Sequence, residues 1–261
     1  MIVDTHVHLD DSRYSDDLEM VIKRAKLGGV KASLIPGADP KDLPRAVEIC
    51  EKYENIYFGI GVHPYHAREL DIEYLKTFAS HPKCIAVGEC GLDYYRLPEA
   101  EGEKLEEKNI QKEAFVSQIK LAIELKKPLI VHIRDASNDS RNILVKEDAK
   151  KVGGVLHCYN ASEILLPLSE HGFYFGIGGV VTFKNAKKLV EVLPKIPLEK
   201  ILLETDGPYL TPHPHRGKRN EPLFTTLILT KISEILKIKE DKLKMIINEN
   251  TNSLFSEFKR G

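Results

Sequence analysis

The strongest constraint on what this chain can fold into is a rhythm. Eight short runs rich in apolar and β-branched residues, at 2–8, 32–36, 56–62, 84–89, 129–133, 154–157, 173–177 and 200–205, alternate with longer amphipathic stretches. Runs this short suit strands, and strands that alternate with helical stretches form parallel βα units. In the stretch 15–29, Leu18, Val21, Ile22 and Ala25 share one helical face, with Ser15 placed to cap the helix and Gly28–Gly29 to stop it. The segment 103–127 puts Ile110, Ala114, Gln118, Leu121 and Leu125 on one stripe, and Pro128 marks its end. Its charged start, EAEGEKLEEK, reads as a solvated face. The stretches 224–236 and 242–258 are also amphipathic and would complete an outer ring of helices. Eight such units in 261 residues predict an α/β fold of the (β/α)8 TIM-barrel type, with 1–261 forming one domain. The competing doubly wound sheet would carry a Gly-rich phosphate loop after its first strand, and none is present.

Composition narrows the function. The 38 Lys+Arg balance 39 Asp+Glu, which excludes a wholly basic protein that coats nucleic acid but allows local basic patches. Four cysteines without a CxxC pair suit reduced thiols. The start lacks a signal-peptide pattern, and no apolar run approaches the ~20 residues that span a bilayer. These features predict a soluble, cytoplasmic protein with no membrane association, and no segment marks an obligate protein partner.

The unusual polar residues fall at the ends of the runs. In VDTHVHLD, Asp4, His6 and His8 occupy every second position and so share one face of a strand. Glu89, His132 and His157 stand at or near the ends of the fourth, fifth and sixth runs, and Asp206 follows the eighth. The C-terminal strand ends of a barrel open on one face, so these residues should converge. Imidazole and carboxylate together suit divalent transition metals. Four His and two carboxylates exceed the three or four protein ligands of one catalytic zinc, which points to two ions bridged by a carboxylate. Asp4 and Glu204 are placed to orient a ligand imidazole from behind.

A second tier could meet phosphate: His63 at the third strand end, Arg96, Arg134, and Arg216 in the basic loop 213–219. Tyr94, Tyr95 and Tyr159 are candidates for stacking on unpaired bases. Asn220 and Glu221 would pin the loop that carries them. Alternation points Cys90 and Cys158 away from the site, into packing.

The motifs DTHVHLD (4–10), GVHP (61–64), GECGLDYYR (88–96), VHIRDA (131–136), HCY (157–159), ETDGPYLTP (204–212) and RGKRNEP (216–222) cover nearly the whole chain in a fixed order. With them the sequence resembles the TatD-type metal-dependent deoxyribonucleases of the amidohydrolase-like superfamily. The resemblance implies that His6, His8 and Asp206 bind one ion, that His132 and His157 bind a second, and that Glu89 bridges them. It implies two divalent ions (Mg, Mn or Zn), with DNA as substrate. The implied reaction is hydrolysis of phosphodiester bonds, as a 3′ exonuclease on single-stranded or frayed ends, with Asp206 as general base and Glu89 holding the ions. Amidohydrolase relatives often bridge their metals with a carbamylated Lys, whereas this fourth strand offers Glu89. The alternative keeps the metals and changes the bond, as in an amidohydrolase or an esterase such as a D-aminoacyl-tRNA deacylase. A non-catalytic nucleic-acid-binding barrel would have no use for the complete ligand set. The chain departs from the family at Tyr159-Asn160-Ala161, commonly Phe-Ser-Gly, and at Gly207, commonly Ser, and 97–109 looks longer than usual.

Overall fold

A computed structural model describes residues 2–260, with Lys259 and Arg260 described in backbone only. Eight parallel strands pair in sequence order: β1 (Ile2–Asp4), β2 (Val30–Ile35), β3 (Ile56–Ile60), β4 (Cys84–Asp93), β5 (Leu129–Arg134), β6 (Gly154–Leu156), β7 (Phe173–Ile177) and β8 (Ile201–Leu203). The ring closes through irregular backbone just beyond β1 and β8. Thr5 N donates to Leu203 O, Asp206 N to His6 O and His8 N to Gly207 O, and Val7 bridges Gly207 in parallel. The fold is therefore the TIM barrel that the rhythm predicts. Among the described residues, no helix is long and apolar enough to cross a membrane.

The helices are α1 (Leu18–Leu27), α2 (Leu43–Lys52), α3 (Ile72–Ala79), α4 (Glu101–Leu125), α5 (Ser137–Lys146), α6 (Lys187–Val192), α7 (Thr225–Leu236) and α8 (Glu240–Leu254). Four local expectations need correction. Ser15 does not cap α1, which starts after Asp17. The first strand stops at Asp4, so His6 and His8 lie on the closing segment beyond it. A 3-10 segment, Glu163–His171, with Pro167 inside it, replaces the helix expected between β6 and β7. The end of α4 is set by Lys126 in the left-handed region, two residues before Pro128.

Helix α4 does more than cover the barrel. Its buried Gln118 accepts a hydrogen bond from Val62 N (2.8 Å) and donates to Val62 O (3.0 Å). One turn pair earlier, buried Gln111 accepts from Asp93 N (2.9 Å). Two polar side chains thus fix the mouth ends of neighbouring strands, because buried backbone groups there would otherwise stay unpaired.

The segment after β8 is fixed from the other side. Asn220, fully buried, donates to Thr205 O (2.8 Å) and Tyr209 O (2.6 Å), and Tyr14 donates to Asn220 O (2.6 Å). Arg219 pairs with Asp17 (2.7 Å) and Glu221 (2.9 Å), and Arg24 pairs with Glu221 (2.9 Å). Asn220 and Glu221 therefore do hold this loop.

The hydrogen bonds from Arg219 and then Arg24 lower the Asp17 carboxyl to about 2. A folded-state value below the unfolded one means that the pairing stabilises at neutral pH and is lost as pH falls from about 4 through about 2. Asp17→Asn is expected to lower the thermal midpoint at pH 7. The gap from wild type should close between pH 4 and pH 2 in calorimetric scans, and a gap that persists at pH 2 contradicts the pairing.

Candidate metal centre

The strand ends bring His6, His8, Glu89, His132, His157 and Asp206 together at one mouth of the barrel. Each arrives by a different local device. β4 runs four residues past Glu89, to Asp93, and its register slips against β5 between Val87 and Cys90. That slip turns Glu89 to the centre of the mouth. Gly88, at φ 144°, sits against Ile130 too closely for any side chain. Asp206 also has positive φ (58°), held there by the bonds around Thr205, Gly207 and Asn220.

His6 and His8 stand between two carboxylates. His6 Nε2 lies 3.3 Å from His8 Nε2, 3.3 Å from Glu89 Oε2 and 3.7 Å from Asp206 Oδ1. His8 Nε2 lies 3.7 Å from Glu89 Oε2 and 3.6 Å from Asp206 Oδ1. Ligand atoms about 2.1 Å from a tetrahedral ion stand about 3.4 Å apart, so these separations match the edges of a coordination shell. The other Glu89 oxygen faces a second set. Oε1 lies 2.9 Å from His132 Nδ1 and 3.8 Å from His157 Nε2, which is itself 3.9 Å from Asp206 Oδ1. The residues present fit a divalent cation by both chemistry and spacing.

Electrostatics follow from this crowding. Burial opposes ionisation of Glu89, yet His6, His157 and His132 together hold it well below the usual carboxylate range. Burial likewise disfavours the His8 and His157 cations. Asp206 and Glu89 nonetheless raise His8 to about 9, and Glu204 and Glu89 raise His157 to about 10. The cluster therefore attracts positive charge. His6 and His157 stack at 3.4 Å between ring centroids. Burial and the neighbouring His157 lower the pKa of His6.

Glu204 behaves as expected from its place on the chain. It is fully buried, its Oε1 lies 3.0 Å from His157 Nδ1, and it accepts a hydrogen bond from Cys158 N (2.6 Å). Asp4 does not support an imidazole. Its oxygens accept from Thr205 N (2.9 Å), Thr205 Oγ1 (2.6 Å) and His6 N (3.3 Å), so it joins β1 to the end of β8. Burial pushes its carboxyl up to about 8.

The substrate-contact candidates divide. His63 faces the cluster, with Nε2 3.7 Å from Glu89 Oε1, while its Nδ1 accepts from Tyr65 N. Burial lowers it to about 3, so it is neutral. Arg96 lines the same cavity and lies over the Tyr65 ring (5.5 Å). Arg134 stacks on exposed Tyr95 at 3.6 Å and lines an adjoining cavity. Tyr94 is tied by its hydroxyl to Asp139 (2.8 Å). Tyr159 is largely buried, with its hydroxyl donating to Ser162 O and its ring edge-on against Phe175, and it also borders the adjoining cavity. Arg216 donates to Thr211 O (2.9 Å) and covers the Phe183 ring (4.0 Å), and it lines neither cavity. With Arg219 neutralised by Asp17 and Glu221, the loop 213–219 carries less free positive charge than its sequence suggests. Cys90 is buried in the core as expected, whereas Cys158, at φ 44°, borders the adjoining cavity.

Sequence reasoning missed Asp93. Its Oδ2 lies 3.0 Å from His132 Nε2, and its Oδ1 accepts from Tyr95 N (2.9 Å). The available signal was alternation: Glu89, Gly91 and Asp93 are spaced by two, provided that the strand continues past Glu89.

A family model described as TatD related DNase matches residues 3–256. The chain belongs to the TatD family. It is 43% identical over 261 residues to the uncharacterized metal-dependent hydrolase YabD of Bacillus subtilis (strain 168), covering 98% of this chain and 99% of that one. It is 34% identical over 241 residues to a protein of Escherichia fergusonii named 3′-5′ ssDNA/RNA exonuclease TatD, covering 88% and 90%. The crystal structure of YJJV, a TatD homolog from Escherichia coli K12, superposes with a TM-score of 0.89 at 27% identity, over 98% of both chains. Within the TatD family this chain is thus a metal-dependent hydrolase, with His, Asp and Glu groups able to hold metal at the strand ends.

Because Asp93 holds the far nitrogen of His132, Asp93→Ala is expected to weaken divalent-cation binding about 10- to 100-fold. Asp93→Asn, which keeps an acceptor, should recover part of that loss. Competition with a chromophoric chelator measures both, and wild-type affinity in the Ala variant would refute an orienting role.

Proposed function

We propose that this TatD-family hydrolase is a two-metal phosphodiesterase that removes nucleotides from the 3′ ends of single-stranded DNA in the cytoplasm. The carrying observation is the division of Glu89: one carboxylate oxygen faces His6 and His8, and the other faces His132 and His157. In this reading His6, His8 and Asp206 hold one ion, His132 and His157 hold the other, and Glu89 serves both. The imidazole-rich set suits Mn or Zn better than an all-oxygen site would, and it also accommodates Mg with water. Bound there, divalent ions lower the pKa of a water and neutralise charge that builds on a phosphoryl oxygen.

The chain's own groups supply the remainder. Asp206 is ionised and reaches the cavity, with 15% of its side chain exposed, so it can take the proton from the attacking water. His63 is neutral, and because its Nδ1 accepts from Tyr65 N, its Nε2 carries the hydrogen and can donate to a phosphate oxygen. Arg96 and Arg134 form no ion pair among the described residues, which leaves two guanidinium groups for phosphate. The relative named as a 3′-5′ ssDNA/RNA exonuclease supports the polarity and the single-stranded substrate.

The test uses metal-free protein reloaded with Mg, Mn or Zn and a 5′-labelled single-stranded oligonucleotide. Wild type should produce a ladder that shortens from the 3′ end. Asp206→Asn should lose at least about 100-fold in rate, the scale of a lost general base. The reading fails if wild type leaves DNA intact with all three metals but hydrolyses an aminoacyl ester.

A further inference from the structure

The mouth of the barrel is a cleft of two unlike lobes that meet at the donor cluster. His132, His157, Asp206 and Tyr209 border both lobes. The first lobe, about 430 Å³, is walled on its far side by Asp10, Asp11, Asp39 and Asp42. The second, about 550 Å³, is walled by Ala161, Val180, Ala186, Leu189 and Leu210. One face of the Tyr209 ring, which stands between the lobes, is covered by the Arg13 guanidinium at 4.2 Å.

We propose that the second lobe seats the base of a single unpaired nucleotide whose phosphate lies over His132, His157 and Asp206. Three observations converge on this ligand. The apolar side chains give a flat aromatic ring a surface that excludes water, and the bases of single strands can be splayed out to reach such a surface. At the rim, Arg134 has no carboxylate partner among the described residues, so an anion completes it, whereas Lys188 is already paired with Glu163 (2.8 Å). The Asn185 side chain, exposed at the same rim, has no hydrogen-bond partner among the described residues and is free to meet a polar base edge. The size is that of a small-ligand pocket, enough for one nucleoside and too small for a stacked duplex end. Placing the phosphate over the donor cluster rests on the nuclease reading, whereas the seat for the base rests on the lobe itself.

The experiment titrates Mn-loaded full-length protein with dAMP and with deoxyribose 5-phosphate, which lacks the base, by calorimetry. Wild type should bind dAMP 10-fold or more tightly than the baseless ligand, on the scale of one base stacked. Ala186→Trp, which fills the lobe from its rim, should bind the two ligands alike, with metal content read alongside to confirm a folded, loaded protein. Equal affinities in wild type, or an undiminished dAMP preference in Ala186→Trp, overturn the proposal. An oligonucleotide with an abasic 3′ end gives an independent reading, since wild type should cut it at least 10-fold more slowly than its normal counterpart. If DNA is cut with no preference for the base, this seat is wrong and the nuclease reading stands. If the dAMP preference is present and lost in Ala186→Trp, but DNA is not cut, the seat stands and the nuclease reading falls.

Discussion

Glu89 is a carboxylate buried at the point where four strand ends meet, and a charge in such a place must be compensated. The compensation comes from imidazoles on three sides: His6 at 3.3 Å, His132 at 2.9 Å and His157 at 3.8 Å. Those imidazoles are in turn held by Asp206, Asp93 and Glu204. Removing any one group leaves its neighbours without part of that compensation. The same logic makes it a cation trap, because positive charge is what the crowded carboxylates lack.

The geometry of that set depends on backbone that is not strand. β1 and β8 are three residues each, too short to carry His6 and Asp206 themselves. Asp4 therefore spans from β1 to Thr205, and Asn220 reaches back to Thr205 and Tyr209, so the two closing segments are bonded to one another across the seam. On the opposite side, Gln111 and Gln118 of α4 do the same for β4 and for Val62 beyond β3. Buried polar side chains thus replace ladder bonds where the barrel gives up regular pairing to build a site. This is where TIM barrels place function, at the C-terminal strand ends.

The sequence made the barrel legible because eight apolar runs keep a βα period, and periodicity survives small errors in each boundary. The convergence of the six candidate ligands was legible for the same reason: each terminates or follows a run, so the phase of the runs brought them together without any knowledge of loops. What failed was everything that depends on local departures. The extension of β4 to Asp93 hangs on a register slip at Gly88–Glu89 that no pattern announces. Tyr159 read as an aromatic in a site motif, and its depth was not legible: it borders the second cavity while most of its ring packs against Phe175. Arg216 and Arg219 read as a basic loop because sequence shows charge and not its partner; Asp17 lies 202 positions away.

The asymmetry of the cleft connects these corrections. With Arg219 spent on Asp17 and Glu221, affinity for a polyanion cannot come from a broad basic surface, in keeping with a formal net charge of −1. On the proposed reading it would come from the candidate ligand cluster, from Arg96 and Arg134 beside it, and from whatever the apolar lobe excludes from water. On the proposed nuclease reading, a cleft with one apolar lobe of this size would take a single nucleotide more readily than a long tract.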